Sequence, residues 1–264
     1  MNDSTAEGGR RDAARGCPSA PKISLIVPVY NEEDNIAPLA EEIRAAMSRI
    51  EDTWELCFVD DGSTDRSLEA VKAAAAADPR IRYIAFDANC GQTAALAAGF
   101  MDAAGDILVT LDADLQNDPA DIPAMLKLFG RDNDMVVGMR VRRRDSFIKK
   151  ASSRIANAVR NSLTGEHIRD TGCSLKVLRA SMARRLPMFR GMHRFLPTLM
   201  KMQGAAVVEV PVSHRPRRSG RSKYGVWDRA FSGLYDLLAV RWMQKRNLRF
   251  SIRERGGPPP GYPS

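Results

Sequence analysis

The chain has 264 residues, enough for one large α/β domain or two smaller domains to bury a core. Its net charge is +8, and residues 214–255 alone sum to +9, twelve basic minus three acidic side chains, so the basic character belongs to the C-terminal region. Residues 1–21 are polar, no run of about 18 apolar residues occurs, and the four cysteines lack metal-site spacing. We therefore expect no signal peptide, no transmembrane helix and no zinc site.

Apolar strand-like runs and amphipathic helices alternate over the first half of the chain. Strands are predicted at residues 23–28, 54–59, 81–86, 107–111 and 135–138, and helices at 32–50, 67–77, 93–104 and 120–129. Later residues predict helices at 146–163, 194–202 and 226–245 and a strand at 206–211. This order predicts an α/β fold with a mostly parallel central sheet, helices on both faces and a C-terminal amphipathic helix.

The strongest chemical signal is the pair Asp112 and Asp114, which directly follows the apolar run 107–111. In an open α/β sheet, ligands bind outside the carboxyl ends of the strands. Two carboxylates at such a position suit Mg²⁺ or Mn²⁺, ions that commonly bridge a carboxylate to substrate phosphates. A second copy of the pattern, Asp132 and Asp134, separates a predicted helix from a predicted strand, and we interpret it as a solvated connector.

Acidic residues also follow the first two predicted strands, as Tyr30-Asn31-Glu32 and as Asp60-Asp61-Gly62-Ser63. Each segment alone is typical of a turn or a helix cap. Three acidic strand ends at one sheet edge predict a crevice that binds a base and ribose through hydrogen bonds, and phosphates through a metal. The glycine motifs of dinucleotide-binding Rossmann domains and of P-loops are missing from the sequence, which disfavours both.

Together these segments resemble the signature segments of family 2 glycosyltransferases, in particular the branch that includes dolichol-phosphate mannose synthase and bacterial polyprenyl-phosphate glycosyltransferases. The matching segments are IVPVYNE at 26–32, VDDGSTD at 59–65, LDADLQ at 111–116, NCGQ at 89–92, GMR at 138–140, DTGCS at 170–174 and GRSKY at 220–224. The resemblance covers roughly residues 22–245. It implies a GT-A type nucleotide-sugar domain at 22–224. The apolar spacing predicts a helix at 225–250, and the composition predicts disordered segments at 1–21 and 251–264.

The resemblance also implies a role for each matching site residue. The base and ribose of the donor would be held by Pro28, Tyr30, Glu32, Asp60 and Asp61, and Gln92 would also contact the nucleotide sugar. Mg²⁺ or Mn²⁺ and the donor pyrophosphate would be held by Asp112, Asp114 and Gln116. Donor and acceptor phosphates would be contacted by Arg140, Lys149, Arg217, Ser222 and Lys223, and the catalytic set would be Asp112, Asp114, Arg140 and Lys223. Where the mannose synthases usually have an arginine near residue 149, the chain has Lys149-Lys150, so either lysine could contact the phosphate.

The predicted reaction is an inverting transfer of a sugar from a GDP- or UDP-sugar to a polyprenyl phosphate. A phosphomonoester has a second pKa of about 6, so it is already an anion that needs fixed cations rather than a base. A saccharide or protein hydroxyl acceptor is the alternative, and it would need a carboxylate base such as Asp170 or Glu166. A third hypothesis is a nucleic-acid-binding protein that uses the basic tail. This hypothesis is disfavoured because the basic run at residues 215–223 has no aromatic residues interleaved with its basic residues for stacking on bases.

The last predicted helix has an apolar stripe flanked by basic residues. The stripe consists of Trp227, Phe231, Leu234, Leu238 and Trp242, at spacings of three and four. This pattern predicts a helix in the membrane interface and peripheral binding to an anionic membrane, at its cytoplasmic face. Leu237, Val240 and Met243 lie off the stripe, so packing of this helix on the domain is the alternative. If the helix does not bind lipid, a membrane partner protein must deliver the acceptor.

Overall fold

The computed structural model describes residues 21–130, 132–140, 168–216, 226–248 and 254. Seven strands lie within these ranges: β1 (Ile23–Val29), β2 (Trp54–Asp60), β3 (Ile81–Ala85), β4 (Ile107–Thr110), β5 (Met135–Arg140), β6 (Lys176–Arg179) and β7 (Val207–Val212). They form one sheet in the order β3-β2-β1-β4-β6-β5-β7. Four of the six pairings are parallel, and β6 runs antiparallel to both of its neighbours. The predicted mostly parallel sheet is confirmed.

The sequence analysis predicts every strand except β6, to within two residues at each end. The short apolar run that forms β6 begins with a lysine, Lys176, whose side chain is buried. Buried lysines are rare in folded proteins, so the pattern of apolar residues does not indicate a central strand there. The Lys176 ammonium donates a hydrogen bond to the carbonyl of Cys173, which satisfies part of its hydrogen-bonding capacity inside the sheet.

Seven α-helices lie in the described part of the chain. They are α1 (Ile36–Met47), α2 (Ser67–Ala77), α3 (Gln92–Asp102), α4 (Ile122–Leu128), α5 (Ala180–Ala183), α6 (Leu196–Met202) and α7 (Val226–Arg246). Short 3₁₀ turns precede α4 at Pro119–Asp121 and α6 at Met192–Phe195. The short α5 is not predicted by the sequence, and the predicted helix at 146–163 lies outside the described residues. None of the described helices is both long enough and apolar enough to span a membrane.

Helices cover both faces of the sheet, as the sequence predicts. Leu25 and Val27 of β1 belong to the core beneath α1, α2 and α4, whereas Ile26 faces a second core under α3, α6 and α7. This alternation follows from the two-residue period of a strand, and strands buried on both faces are apolar at almost every position. The two cores fix the sheet between layers of helices, so that only its edges and ends remain for a binding site.

The C-terminal helix α7 both packs on the domain and exposes apolar side chains. Leu237 and Val240 are buried in the second core, so the alternative of packing on the domain is correct for this face. Tyr235, Leu238 and Trp242 are 77%, 55% and 63% exposed. Two members of the predicted stripe are thus on the solvent side of the helix. The side chains of Trp227, Phe231 and Leu234 lie outside the described set.

One edge of the sheet collects the ends of several strands. Because β1, β2, β4, β5 and β7 run in the same direction, their carboxyl ends meet at this edge, which we call the carboxyl edge. The antiparallel strand β6 starts there, so residues 168–175, which lead into it, also lie at the carboxyl edge. Topology therefore brings together segments that are as much as 180 residues apart in the chain.

Candidate active site

The carboxylates Asp112 and Asp114 lie just beyond β4 at the carboxyl edge. The backbone N–H of Asp112 donates to the hydroxyl of Ser174 at 3.2 Å, and that hydroxyl donates to Asn117 Oδ1 at 2.7 Å. Asp114 Oδ1 accepts the N–H of Gln116 at 3.2 Å. The bond from Asp112 to Ser174 connects the end of β4 to the segment before β6, so the strand that the sequence does not predict helps to hold the pair.

Asp112 lies in a setting that favours a bound cation. Burial and the negative charge of Asp114 raise the pKa of Asp112 to about 6, although Ser174 and nearby basic residues oppose the shift. Gln92 Nε2, from the first residue of α3, donates to Asp112 Oδ1 at 2.7 Å. Two partly buried carboxylates that repel each other are relieved by a divalent cation, and oxygen ligands suit Mg²⁺ and Mn²⁺.

No group of three or more His, Cys, Asp or Glu side chains that could hold a metal occurs in the described ranges. A cation at Asp112 and Asp114 would therefore need further oxygen ligands. Gln116 lies two residues beyond the pair, and its Nε2 is within 3.5 Å of the carbonyl of Arg215. Phosphate oxygens of a substrate are the usual additional ligands of Mg²⁺ in such sites. The residues present thus fit a metal that is shared with a phosphorylated ligand.

The turn after β1 carries Tyr30, Asn31 and Glu32 along the carboxyl edge. Asn31 has a φ of +54°, which an asparagine tolerates better than most residues. Its N–H donates to Ser63 Oγ at 3.0 Å, and its Oδ1 accepts the N–H of Thr64 at 2.8 Å. These bonds join the turn after β1 to the turn after β2. The predicted nucleotide residues of the two strand ends therefore form one continuous surface.

The neighbouring acids Asp60 and Asp61 play different parts. Asp61 accepts hydrogen bonds from the side chain of Asn89 at 2.9 Å and from the N–H groups of Cys90 and Gly91 at 2.7 and 2.9 Å. Asp60 is buried and accepts the N–H of Ser63 through Oδ2, but Oδ1 has no hydrogen-bond partner among the described residues. Asp61 thus fixes the loop before α3, whereas Asp60 keeps an acceptor for a ligand.

A partly buried histidine, His193, supports the start of α3. His193 Nδ1 lies 2.8 Å from the hydroxyl of Thr93, which also accepts the N–H of Gly191 at 3.0 Å. Burial, together with the charges of Arg194 and Lys176, lowers the pKa of His193 to about 3. The imidazole is therefore neutral at physiological pH. Thr93 follows Gln92 directly, so the contact with His193 stabilises the end of α3 from which Gln92 reaches Asp112.

Arg140, the last residue of β5, forms an ion pair with Asp170. The guanidinium Nε and Nη2 lie 2.7 and 2.8 Å from the two carboxylate oxygens. Glu209 of β7 accepts the backbone N–H of Asp170 at 3.1 Å and so fixes the acid from behind. A glycine at position 172 leaves room for the pair, because a Cβ there would lie only 2.8 Å from Arg140 Nη2. Both members of the pair are largely buried.

The remaining predicted site residues divide into two groups. Pro28, Tyr30, Glu32 and Gln92 lie at the carboxyl edge with the acids described above. Lys149, Arg217, Ser222, Lys223 and the alternative base Glu166 lie outside the described residues. Ser174, Asn117 and His193 support the site but are not predicted as site residues. Ser174 falls within the DTGCS motif, whereas the other two have no local signal because their partners are distant in sequence.

Residues 24–187 match the model of Glycosyl transferase family 2. The chain belongs to this family. The resemblance predicted from the signature segments is therefore confirmed, and the match includes every described residue of the carboxylate site up to Ser174. Residues 207–216, which contribute Glu209 from β7 and Arg215, lie beyond the matched region.

Two curated relatives are similar over most of this glycosyltransferase. The dodecaprenyl-phosphate galacturonate synthase of Rhizobium johnstonii is 40% identical over 233 residues, which cover 86% of this chain and 69% of that protein. The undecaprenyl-phosphate 4-deoxy-4-formamido-L-arabinose transferase of Salmonella paratyphi A is 37% identical over 218 residues, which cover 82% of this chain and 66% of that protein. The chain thus spans about two thirds of the length of each.

Solved structures share the fold at low sequence identity. Glucosyl-3-phosphoglycerate synthase from Mycobacterium tuberculosis, in complex with Mn²⁺, UDP and glucosyl-3-phosphoglycerate, matches with a TM-score of 0.62 and 19% identity, over 85% of this chain and 80% of that chain. The complex of the same enzyme with Mg²⁺ and UDP gives a TM-score of 0.63. The likeness concerns the fold alone, and it confirms the predicted α/β class.

Proposed function

We propose that this glycosyltransferase transfers a sugar from a GDP- or UDP-sugar to a polyprenyl phosphate. The observation that carries the proposal is the carboxylate pair Asp112 and Asp114 at the carboxyl edge, in a chain 37–40% identical to two relatives whose names specify a polyprenyl phosphate. Residues that support the pair, such as Ser174, belong to the same matched region. The nucleic-acid alternative leaves these acidic strand ends unexplained.

On the donor side, the nucleoside occupies the surface formed by the turns after β1 and β2. Asp60 makes the direct contact, because its buried Oδ1 has no protein donor among the described residues, and an N–H of a base or a ribose hydroxyl supplies one. Asp61 acts through the loop before α3, since its oxygens already accept three protein donors. Pro28, Tyr30 and Glu32 line the same surface.

The donor diphosphate lies near Asp112, Asp114 and Gln116, which fit Mg²⁺ or Mn²⁺ as oxygen ligands. When bound, such an ion acts as a Lewis acid that stabilises the negative charge of the departing nucleoside diphosphate. Gln92 orients Asp112 through its 2.7 Å hydrogen bond, and Gln116 N–H orients Asp114. One oxygen of Asp112 is thus fixed by a side-chain amide and one oxygen of Asp114 by a backbone amide.

The acceptor is a phosphate rather than a hydroxyl. Asp170, the described candidate for a base, accepts hydrogen bonds from Arg140 through both of its oxygens, which is the arrangement of a carboxylate that orients a cation. A phosphate dianion attacks without losing a proton, and its need is for positive charge near the donor diphosphate. Arg140, Lys149, Arg217, Ser222 and Lys223 supply that charge and hydrogen bonding, and direct displacement inverts the anomeric carbon.

Helix α7 brings the enzyme to the lipid. Leu237 and Val240 anchor the helix in the domain, while Leu238 and Trp242 are exposed beside the basic residues Arg241 and Lys245. An exposed aromatic and aliphatic stripe flanked by cations is the composition of a helix that binds an anionic membrane surface. We propose that this surface is the cytoplasmic face of the membrane. A membrane partner protein is required only if the helix does not bind lipid.

The test is a transfer assay with defined substrates. The purified protein is incubated with Mn²⁺, undecaprenyl phosphate and a panel of radiolabelled GDP- and UDP-sugars, and the label in the extracted lipid phase is counted. We expect label in the lipid with at least one donor, and none when undecaprenyl phosphate is omitted. Transfer to sugar alcohols or to hydroxyl-bearing peptides, with none to undecaprenyl phosphate across the panel, would contradict the proposal.

A further inference from the structure

Arg215 connects separate parts of the chain at the carboxyl edge. Its Nη1 donates to both carboxylate oxygens of Glu42 in α1, at 2.9 and 2.7 Å, and its Nη2 lies 2.6 Å from Asp118 Oδ2. The backbone N–H of Arg215 donates to the carbonyl of Gln116 at 2.8 Å. A single residue after β7 thereby holds α1 and the segment that follows the carboxylate pair.

That segment, residues 114–118, has little structure of its own. It lies between β4 and the 3₁₀ turn at Pro119–Asp121, and Leu115 has a φ of +57°, a left-handed conformation that is unfavourable for leucine. Strained residues persist only where the surrounding structure holds them. The buried side chain of Leu115 provides one support. The bonds from Arg215 to Gln116 and Asp118 provide a second, from outside the segment.

We propose that Arg215 is a positioning residue for the metal-binding carboxylates. By holding Asp118 and the carbonyl of Gln116 against Glu42, it keeps the Asp114–Gln116 segment in the conformation that binds Mg²⁺ or Mn²⁺. The inference rests on the proposed function, because it takes Asp112 and Asp114 to be the metal site. Arg215 itself contacts neither carboxylate of the pair in any hydrogen bond described above.

The charges around Arg215 explain why its removal would displace the segment that follows the carboxylate pair. Glu42 and Asp118 share one cation, so removal of the guanidinium leaves two carboxylates facing each other. Like charges at this separation repel, and the repulsion pushes the segment away from α1. The three side chains are only 22–32% exposed, so water and salt screen the interaction less than at an open surface. A planar guanidinium contacts both acids at once, which a lysine does less well.

The experiment compares two ion pairs of similar exposure. Arg215→Met removes the positioning contact, Arg215→Lys keeps the charge, and Arg179→Met is the matched control. Arg179 pairs with Asp134 at 2.6 Å with 38% and 27% exposure, but it aligns with Ile107 at the opposite end of β4. Mn²⁺ binding is measured by the electron paramagnetic resonance of free Mn²⁺, in separate titrations with UDP and with GDP, and folding is followed by circular dichroism and Tm.

We expect Arg215→Met to weaken Mn²⁺ binding by roughly tenfold or more, the usual effect of losing a group that orients metal ligands. Arg215→Lys should lie between this variant and the wild type, and Arg179→Met should bind Mn²⁺ like the wild type while losing a similar amount of Tm. If Arg215→Met does not fold, Arg215→Lys carries the test.

Two negative results have different meanings. If folded Arg215→Met, or Arg215→Lys in its place, binds Mn²⁺ as tightly as the wild type, the positioning role is wrong and the metal site stands. If the wild type binds no Mn²⁺ with either nucleotide, the proposed metal site fails, and the role of Arg215 fails with it. Equal weakening in Arg179→Met also overturns the proposal, because a general loss of stability then explains the effect.

Discussion

Arg140 and Asp170 form a two-point ion pair at the carboxyl edge, with nitrogen–oxygen distances of 2.7 and 2.8 Å. The proposed phosphate acceptor and the alternative hydroxyl acceptor require different roles of this pair. A carboxylate whose two oxygens both accept hydrogen bonds from one guanidinium holds that cation in a fixed orientation, so Asp170 serves as an orienting group. The guanidinium, held by the acid, is a fixed positive charge suited to an incoming phosphate.

We expect Asp170→Asn and Arg140→Ala to lower transfer to undecaprenyl phosphate to a similar extent. The reason is that Arg140→Ala removes the cation and Asp170→Asn removes the carboxylate that orients it, so the double variant should be little worse than either single variant. Values of kcat/KM for the four proteins, measured from pH 6 to 9, test this. If Asp170→Asn alone abolishes a kinetic pKa seen in the wild type, Asp170 acts as a base and the hydroxyl-acceptor alternative regains support.

The carboxylate pair is tested by one change inside the site and one outside it. Asp114→Asn should reduce turnover by orders of magnitude, because it removes charge where a cation is needed. Asp134→Asn, in the second copy of the pattern, should keep full turnover but lose about 1 kcal/mol of unfolding free energy with the Arg179 ion pair. Transfer assays in Mn²⁺-replete buffer and urea unfolding distinguish the two. Undiminished transfer by Asp114→Asn is incompatible with the metal assignment.

The raised pKa of Asp112 predicts how Mn²⁺ binding depends on pH. A ligand carboxylate must lose its proton, and burial beside Asp114 raises the pKa of Asp112 to about 6. Below that pH, the apparent affinity for Mn²⁺ should fall about tenfold per pH unit. Titrations with nucleotide at pH 5, 6, 7 and 8 measure the slope. An affinity that stays constant between pH 5 and 6 would show that Asp112 does not control the site.

The raised pKa of Asp112 also affects the stability of the metal-free protein, which should decrease as the pH rises. The folded state holds the Asp112 proton more tightly than the unfolded state, whose carboxyl has its ordinary pKa near 3.8. The contribution of this group to stability is therefore present at low pH, and it is lost as the pH rises from about 4 through about 6. Added Mn²⁺ should offset the loss above pH 6, which thermal unfolding with and without the ion will measure.

His193 predicts a second pH dependence, of opposite sign. Its pKa is lowered to about 3 in the folded protein and is near 6.5 when unfolded. The stability that depends on the neutral imidazole is present above pH 6.5, and it is lost as the pH falls toward 3, at up to about 1.4 kcal/mol per unit. Urea unfolding of the wild type and His193→Gln, between pH 4 and 7, should show the shallower slope in the variant. Parallel slopes would rule out this origin.

Membrane binding should depend on the exposed face of α7. We expect Trp242→Glu to weaken binding to anionic vesicles, whereas Met101→Glu, at a 71% exposed methionine on α3, should bind like the wild type. Binding should also weaken with salt, since each nearby basic residue contributes about 1 kcal/mol of screened attraction. Vesicle co-sedimentation at low and high salt measures both effects. Deleting α7 is a poorer test, because Leu237 and Val240 belong to the core.

If the intact protein remains in the supernatant beside anionic vesicles at low salt, the interfacial role of α7 is wrong. The exposed apolar side chains of α7 would then contact a membrane partner protein, and that protein would deliver the lipid acceptor. The two outcomes are distinguished by adding purified membranes in place of vesicles. Recovery of binding only with membranes that contain proteins would favour the partner.

Local sequence patterns predict the strands and the acidic strand ends, because an apolar run and the carboxylates that follow it are adjacent in the sequence. They did not predict β6, since buried Lys176 interrupts its apolar character. They also did not separate the roles of Asp60 and Asp61, which differ only through the amides of a loop 28–30 residues away. Hydrogen bonds between residues distant in the sequence depend on the topology of the fold, and the periodicity of apolar residues does not predict them.

The same reason explains why the sequence places Arg215 in a basic cluster with a phosphate role but does not predict its contacts with Glu42 and Asp118. Its partner Glu42 is 173 residues earlier in the chain, and each residue alone resembles an ordinary charged surface side chain. The basic segment after β7 resembles phosphate-binding loops, and the matching positions in it are Arg217 and Lys223. The structure adds a role for the residue that precedes them, through contacts that the sequence does not encode locally.

The place of β6 between β4 and β5 also affects how the chain is made. Thr110 of β4 pairs with Lys176, so the strand that carries the carboxylates lacks one neighbour until 66 more residues have been synthesised. At ribosomal rates of about 5–20 residues per second, that interval is roughly 3–13 s. During this time β4 has an unpaired edge and two apolar faces, the features that favour aggregation. Nascent chains of this protein should therefore depend on chaperones until residue 179 has emerged.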